Sequence, residues 1–223
     1  MISHEYKCIF IHIPKCAGTS IEKAFGHLDG HVGRDGQDHR AVRDIQPIRP
    51  FPSQKTIIET LRRLKHRYYN KVPNPRNRYA VTKNQYDSYF KFTVVRNPWA
   101  RVLSWYTAVM HDETTKKALG IKGPVSFNDA LVQHMGTGLL RPQLYWITNY
   151  DGKIDLDYIG RFENLNEDFK TICNRLNTPH LTLPHTLKGQ HRDYREYYDT
   201  DSIQAVADYY RDEIAMFGYT FDA

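Results

Sequence analysis

The chain is poor in cysteine. There are three in 223 residues, at positions 8, 16 and 173, an odd number without metal-ligand spacing. That argues against a disulfide framework and against a cysteine-built metal site, and it suits a reducing compartment. Long apolar runs are missing too. The segment before Cys8 is polar, and the apolar run after it is far too short to span a bilayer. The expectation is a soluble cytoplasmic protein without membrane insertion. Internal repeats and low-complexity tracts are absent as well, which excludes solenoid and linker architectures.

What is present is a chain with 40% hydrophobic residues, enough for one domain with a substantial core. The formal charge is +6, which favours an anionic partner. The charge is uneven. From Gln46 to Phe90 ten Lys/Arg face two acids, and from Asp151 to Ala223 eight face fourteen. The positive field therefore belongs to the middle of the chain. The reading is one domain over 1–223, with a basic helical insertion at about 46–84.

Cys8 to Ile13 is a β-branched, apolar run closed by Pro14, and it predicts a buried strand. Thr19 to Phe25 predicts a helix. Phe92 to Val95 predicts a second strand, and Pro98 then opens a helix running to Met110. Further helices are expected over Val125 to His134 (capped by Ser126), Leu165 to Leu176 and Ser202 to Phe217, and a short strand over Tyr158 to Phe162. Ser53 to Tyr69 has Ile57, Ile58, Leu61, Leu64 and Tyr68 spaced for one helix face, with most of its basic residues off that face. Alternating strands and helices predict an α/β fold, a P-loop-like three-layer sandwich with a central parallel sheet flanked by helices.

Between the first strand and first helix stands Pro14-Lys15-Cys16-Ala17-Gly18-Thr19-Ser20. Small residues let backbone N–H groups approach an anion, the helix start adds partial positive charge, and Lys15, Thr19 and Ser20 supply a cation and two hydroxyls. The lysine precedes the glycine, unlike the Gly-Lys-Ser/Thr order of kinase-type loops. After the second strand comes Arg96-Asn97-Pro98-Trp99-Ala100-Arg101-Val102-Leu103-Ser104-Trp105-Tyr106. Arg96 ends a strand, and Ser104 lies two turns into the following helix, so that together they suit a second phosphate. Read alone, each motif also suits an ordinary strand-to-helix turn.

Taken together, the two motifs resemble the signatures of the sulfotransferases that use 3′-phosphoadenosine-5′-phosphosulfate (PAPS), above all the carbohydrate O-sulfotransferase branch with its heparan sulfate 2-O- and chondroitin 4-O-sulfotransferases and small bacterial members. Arg141-Pro142-Gln143, Gly160 to Leu165, Leu183-Pro184-His185 and the Tyr-rich end look like segments that recur there. The resemblance implies that Lys15, Cys16, Ala17, Gly18, Thr19 and Ser20 hold the 5′-phosphosulfate and that Arg96 and Ser104 hold the 3′-phosphate. It implies a late basic loop over the nucleotide, here with Lys188 and Arg192. It implies a hydroxyl acceptor, expected to be a carbohydrate and suited to an anionic one, no requirement for a metal, and no nucleic-acid partner. Lys15 then belongs on the bridging oxygen, where charge grows as the S–O bond breaks.

A base must take the acceptor's proton. A histidine in the comparable region serves in that branch, and this places His39 first, with His12, His185 and His191 as runners-up and Asp38 or Asp35 to orient the ring. Trp99, Trp105 and Trp146 suit either stacking on a ligand or core packing. Two other classes stay open: a nucleotide kinase or NTPase with a degenerate loop, and a non-enzymatic polyanion-binding module drawing on the basic middle.

Overall fold

A computed structural model describes residues 1–31, 36–47, 57–58, 60–61, 72–184 and 193–222. Four strands form one sheet in the order β1-β2-β3-β4: β1 Ile2–Ser3, β2 Cys8–Ile11, β3 Phe90–Val95 and β4 Tyr158–Arg161. β2 pairs parallel with β3, and β3 parallel with β4, while the short edge strand β1 runs antiparallel to β2. All four residues of β2 are buried, as a strand covered on both faces requires.

The α-helices whose bounds lie among the described residues are α1 Gly18–Ala24, α2 Val42–Ile45, α3 Lys83–Ser88, α4 Pro98–Met110, α5 Glu113–Ala118, α6 Phe127–His134, α7 Gln143–Ile147, α8 Leu165–Arg175, α9 Thr200–Tyr209 and α10 Arg211–Phe217. The α/β sandwich expected from the alternation is the fold observed, with the antiparallel β1 added at its edge. Helix starts follow local chemistry. Asn97 caps α4 by accepting from the N–H groups of Trp99 and Ala100, and Pro98 occupies its first position. Ser126 caps α6.

One expectation needs correction. The C-terminal helix is two helices, because the backbone turns at Tyr210 (φ −102°, ψ 18°). The ring of Tyr210 is buried and its hydroxyl donates to the Leu140 carbonyl at 2.6 Å, a tertiary contact that periodicity does not encode. Within the helix expected over Ser53 to Tyr69, residues 57, 58, 60 and 61 are helical, and Ile57, Ile58 and Leu61 of its apolar face are exposed. Leu64, Tyr68 and all the Lys and Arg residues of that segment lie outside the described residues. No described helix is long and apolar enough to cross a membrane.

Because β2, β3 and β4 are parallel neighbours, the loops at their carboxyl ends emerge on one edge of the sheet. In open α/β sheets that edge is where ligands bind. It brings together positions 12–17, 96–97 and 162–164, which are far apart in the chain.

Candidate functional site

The loop after β2 has an unusual backbone. Lys15 (φ 71°) and Ala17 (φ 63°) are both left-handed without being glycine, a strain of order 1–3 kcal/mol per residue that surrounding structure must hold. Left-handed residues placed this way build anion-binding nests of N–H groups. Arg101, fully buried on α4, braces the loop by donating from Nε to the Pro14 carbonyl at 3.1 Å. Its Nη2 binds the carbonyls of Leu139 and Arg141. Cys16 is buried beneath, with its thiol toward Gln143, and burial pushes that thiol up to about 12. It is a neutral packing group.

The second motif meets the first. Arg96 Nη1 donates to the Lys15 carbonyl at 3.1 Å, and its guanidinium lies 3.9 Å over the Phe162 ring. No carboxylate among the described residues forms an ion pair with it, and its Nε is buried without a partner. Burial lowers its pKa from the ordinary arginine value. Gln143 grips the main chain of Arg96 on both sides, accepting from its N–H at 2.8 Å and donating to its carbonyl at 2.8 Å. Gln143 is held in turn by the buried carboxylate of Glu213. Glu163 accepts from the Asn97 N–H at 2.7 Å. The segments around 141–143 and 160–165 thus form the housing of Arg96. Ser104 stands on α4, half-exposed, and no side-chain hydrogen bond joins it to Arg96.

A histidine pair backs the loop. His12, buried, bonds through Nδ1 to Glu22 Oε1 at 3.1 Å, and its ring lies 4.2 Å from that of His39. His39 is half-buried, with Nε2 3.0 Å from Gln37 Oε1 and Nδ1 3.4 Å from the His12 carbonyl. Gln37 Nε2 donates to Thr19 Oγ1. Burial first, and then the neighbouring His12, lower the pKa of His39 to about 3, so the ring is neutral near pH 7. Glu22 also accepts from the Asp38 N–H at 3.0 Å. Burial pushes its carboxyl up, but the attraction of His12 and the hydrogen bond to it leave it below the usual value.

The structure therefore places His39 beside the loop that carries Lys15 and Thr19. Asp38 does not orient it. That carboxylate is taken by Arg40 at 2.7 Å and by the Met1 ammonium at 3.2 Å. Gln37 fills the orienting place instead. Trp146 borders the site, 6.4 Å from the His39 ring. Trp99 and Trp105 are core residues, the first donating from Nε1 to the Ile203 carbonyl. Asp35, His185, Lys188, His191 and Arg192 lie outside the described residues.

Sequence reading missed Gln37 and Glu213, and it met Arg101 and Gln143 only as members of quoted segments, without a role. Among the described residues no cluster of three or more His, Cys, Asp or Glu is placed to hold a metal ion.

The architecture is that of a P-loop-like α/β protein with its loops gathered at one sheet edge. The chain belongs to the sulfotransferase family: the model of that family matches residues 1–220. It is also 35% identical over 107 residues to an uncharacterized protein of Archaeoglobus fulgidus, a match covering 47% of this chain and 79% of that protein. No solved structure matches significantly.

Proposed function

We propose that this protein transfers a sulfuryl group from PAPS to an acceptor hydroxyl of a carbohydrate. The observation that carries the reading is the meeting of Arg96 and Lys15, the charged residues of two motifs 81 positions apart. A half-buried guanidinium that forms no ion pair with a carboxylate among the described residues is costly unless an anion completes it, and a 3′-phosphate is such an anion.

In this reading the chain's residues divide the work of an in-line displacement. The loop N–H groups, Thr19 and Ser20 hold the 5′-phosphosulfate. Arg96 and Ser104 hold the 3′-phosphate. His39 takes the acceptor proton as the new O–S bond forms. Lys15 neutralises the bridging oxygen as the old S–O bond breaks and its electrons pass to the leaving phosphate. Lys188 adds a charge for the nucleotide phosphates, a role that rests on the resemblance. The basic insertion at about 46–84 forms an edge of the acceptor cleft within a single domain and favours an anionic saccharide.

The test is calorimetric titration with adenosine 3′,5′-bisphosphate (PAP), ADP and Mg²⁺-ATP, on wild type and Arg96→Gln. Selective binding of PAP, weakened by about tenfold or more in the variant (about 1.4 kcal/mol) while the fold stays intact, is the expected result. Equal binding of ADP, or Mg²⁺-dependent binding of ATP, would overturn it in favour of a kinase or NTPase. Binding of a polyanion with steep salt dependence and no nucleotide would point to a binding module.

A further inference from the structure

One side chain joins the loop hydroxyl to the candidate base. Gln37 Nε2 donates to Thr19 Oγ1, while Gln37 Oε1 lies 3.0 Å from His39 Nε2. An amide oxygen only accepts, so the proton in that contact belongs to His39. A neutral imidazole has one N–H. With it on Nε2, Nδ1 is bare and faces the His12 carbonyl at 3.4 Å, two acceptors opposed. In this arrangement Nε2 cannot take a proton from anything.

The same surroundings support a second arrangement. The imidazole proton moves to Nδ1 and is donated to the His12 carbonyl, which already stands in place. Nε2 then becomes an open acceptor. The only described group opposing this state is Gln37 Oε1, whose lone pairs would face a bare nitrogen. Gln37 is held there through Thr19, and Thr19 belongs to the loop. A phosphate oxygen in the loop accepts from the Thr19 hydroxyl and competes with Thr19 Oγ1 for the Gln37 N–H, and charge-assisted hydrogen bonds are about twice as strong as neutral ones. Turning the Gln37 amide toward such an anion removes Oε1 from His39.

We propose that Gln37 is a positioning residue that couples occupation of the phosphate loop to the tautomer of His39, keeping the base covered until the donor is bound. The inference rests on the PAPS reading of the loop. It implies that donor binds before acceptor.

The experiment is long-range ¹H–¹⁵N NMR on protein with labelled histidine, the His39 signals being assigned from their loss in His39→Gln. In the free protein Nε2 should have the shift of a protonated nitrogen. Saturation with PAP should move it to the shift of an unprotonated one. Gln37→Met keeps the volume and loses both hydrogen bonds, so it should show the unprotonated shift without PAP. An unprotonated Nε2 in the free wild type, no change at calorimetrically verified saturation, or a protonated Nε2 in folded Gln37→Met would each overturn the inference. Failure of PAP to bind is a separate result and counts against the proposed function. A thermal melt of Gln37→Met excludes simple unfolding, which would not move one tautomer alone.

Discussion

Gly18 packs directly against the imidazole of His12: a β-carbon at position 18 would stand 1.9 Å from His12 Cδ2. His12 is fixed by Glu22 from α1, the helix that Gly18 opens. The phosphate loop and the histidine pair are therefore one packed unit. Replacing a helical glycine by alanine ordinarily gains up to about 1 kcal/mol. Here the clash reverses the sign, and Gly18→Ala should lose about 1–3 kcal/mol of stability, as read by urea unfolding. His12→Ala in the same chain should recover part of the loss, giving a non-additive cycle. A stabilised single variant would show that the contact is not present in solution.

Gln143 makes four hydrogen bonds that converge on Arg96 and Glu213. Gln143→Leu removes the three bonds made by the side chain, so the Arg96 N–H and carbonyl and Glu213 Oε1 each lose a partner, while the main-chain N–H of residue 143 still donates to Glu213. Unsatisfied buried groups cost about 1–3 kcal/mol each, so a loss of about 3 kcal/mol is expected in denaturant unfolding, with weakened PAP binding. A loss below about 1 kcal/mol would mean that the clamp does not set the position of Arg96.

Asp38 gives the stability a defined acid dependence. Burial alone would raise its pKa, but the Arg40 guanidinium and then the Met1 ammonium hold the carboxyl well below its ordinary value of 3.8. A depressed folded value means that the unfolded chain binds the proton more readily. The contribution is complete above the ordinary value and is lost as pH falls below it. Breaking a buried pair costs about 3–5 kcal/mol. Asp38→Asn should therefore be less stable at pH 7 by about that amount, and its stability should fall less steeply on acidification than that of wild type. Parallel pH profiles would refute the pairing.

His39, with its pKa lowered to about 3 by burial and then by His12, should show no protonation between about pH 5 and 8 in an NMR titration of its ring protons. Its folded value lies below the ordinary 6.5, so it too withdraws stability as pH falls beneath that point. His39→Ala should lower kcat by about 10²–10⁴-fold while PAP binding is retained. A titration near 6.5 would show that the ring is not shielded by burial and His12, and a variant with full kcat would remove His39 from the role of base.

Much of the framework was legible in the residues. The apolar run at Cys8, the small residues at 16–18 and the Asn97-Pro98 start of α4 each act through neighbours a few positions away, so strand, loop and helix could be read in order. His39 was reached through resemblance alone, since nothing local distinguishes it from ten other histidines. Its partner Gln37, two residues before it, was passed over because a glutamine in a loop carries no signal until Thr19 is brought beside it. Asp38, offered together with Asp35 to orient the ring, proved to belong to Arg40.

The sequence by itself determined the elements and the two motifs, because capping, turn chemistry and apolar periodicity act over one or two turns. The tertiary structure decided what those motifs touch. Parallel pairing of β2, β3 and β4 places their carboxyl ends side by side, and only then can Arg96 reach Lys15, Gln143 enclose Arg96, and Phe162 lie under its guanidinium. The same long-range packing bent the C-terminal helix at Tyr210 and left Ile57, Ile58 and Leu61 facing water. Contacts between residues tens of positions apart are set by sheet topology and burial, and no local pattern carries them.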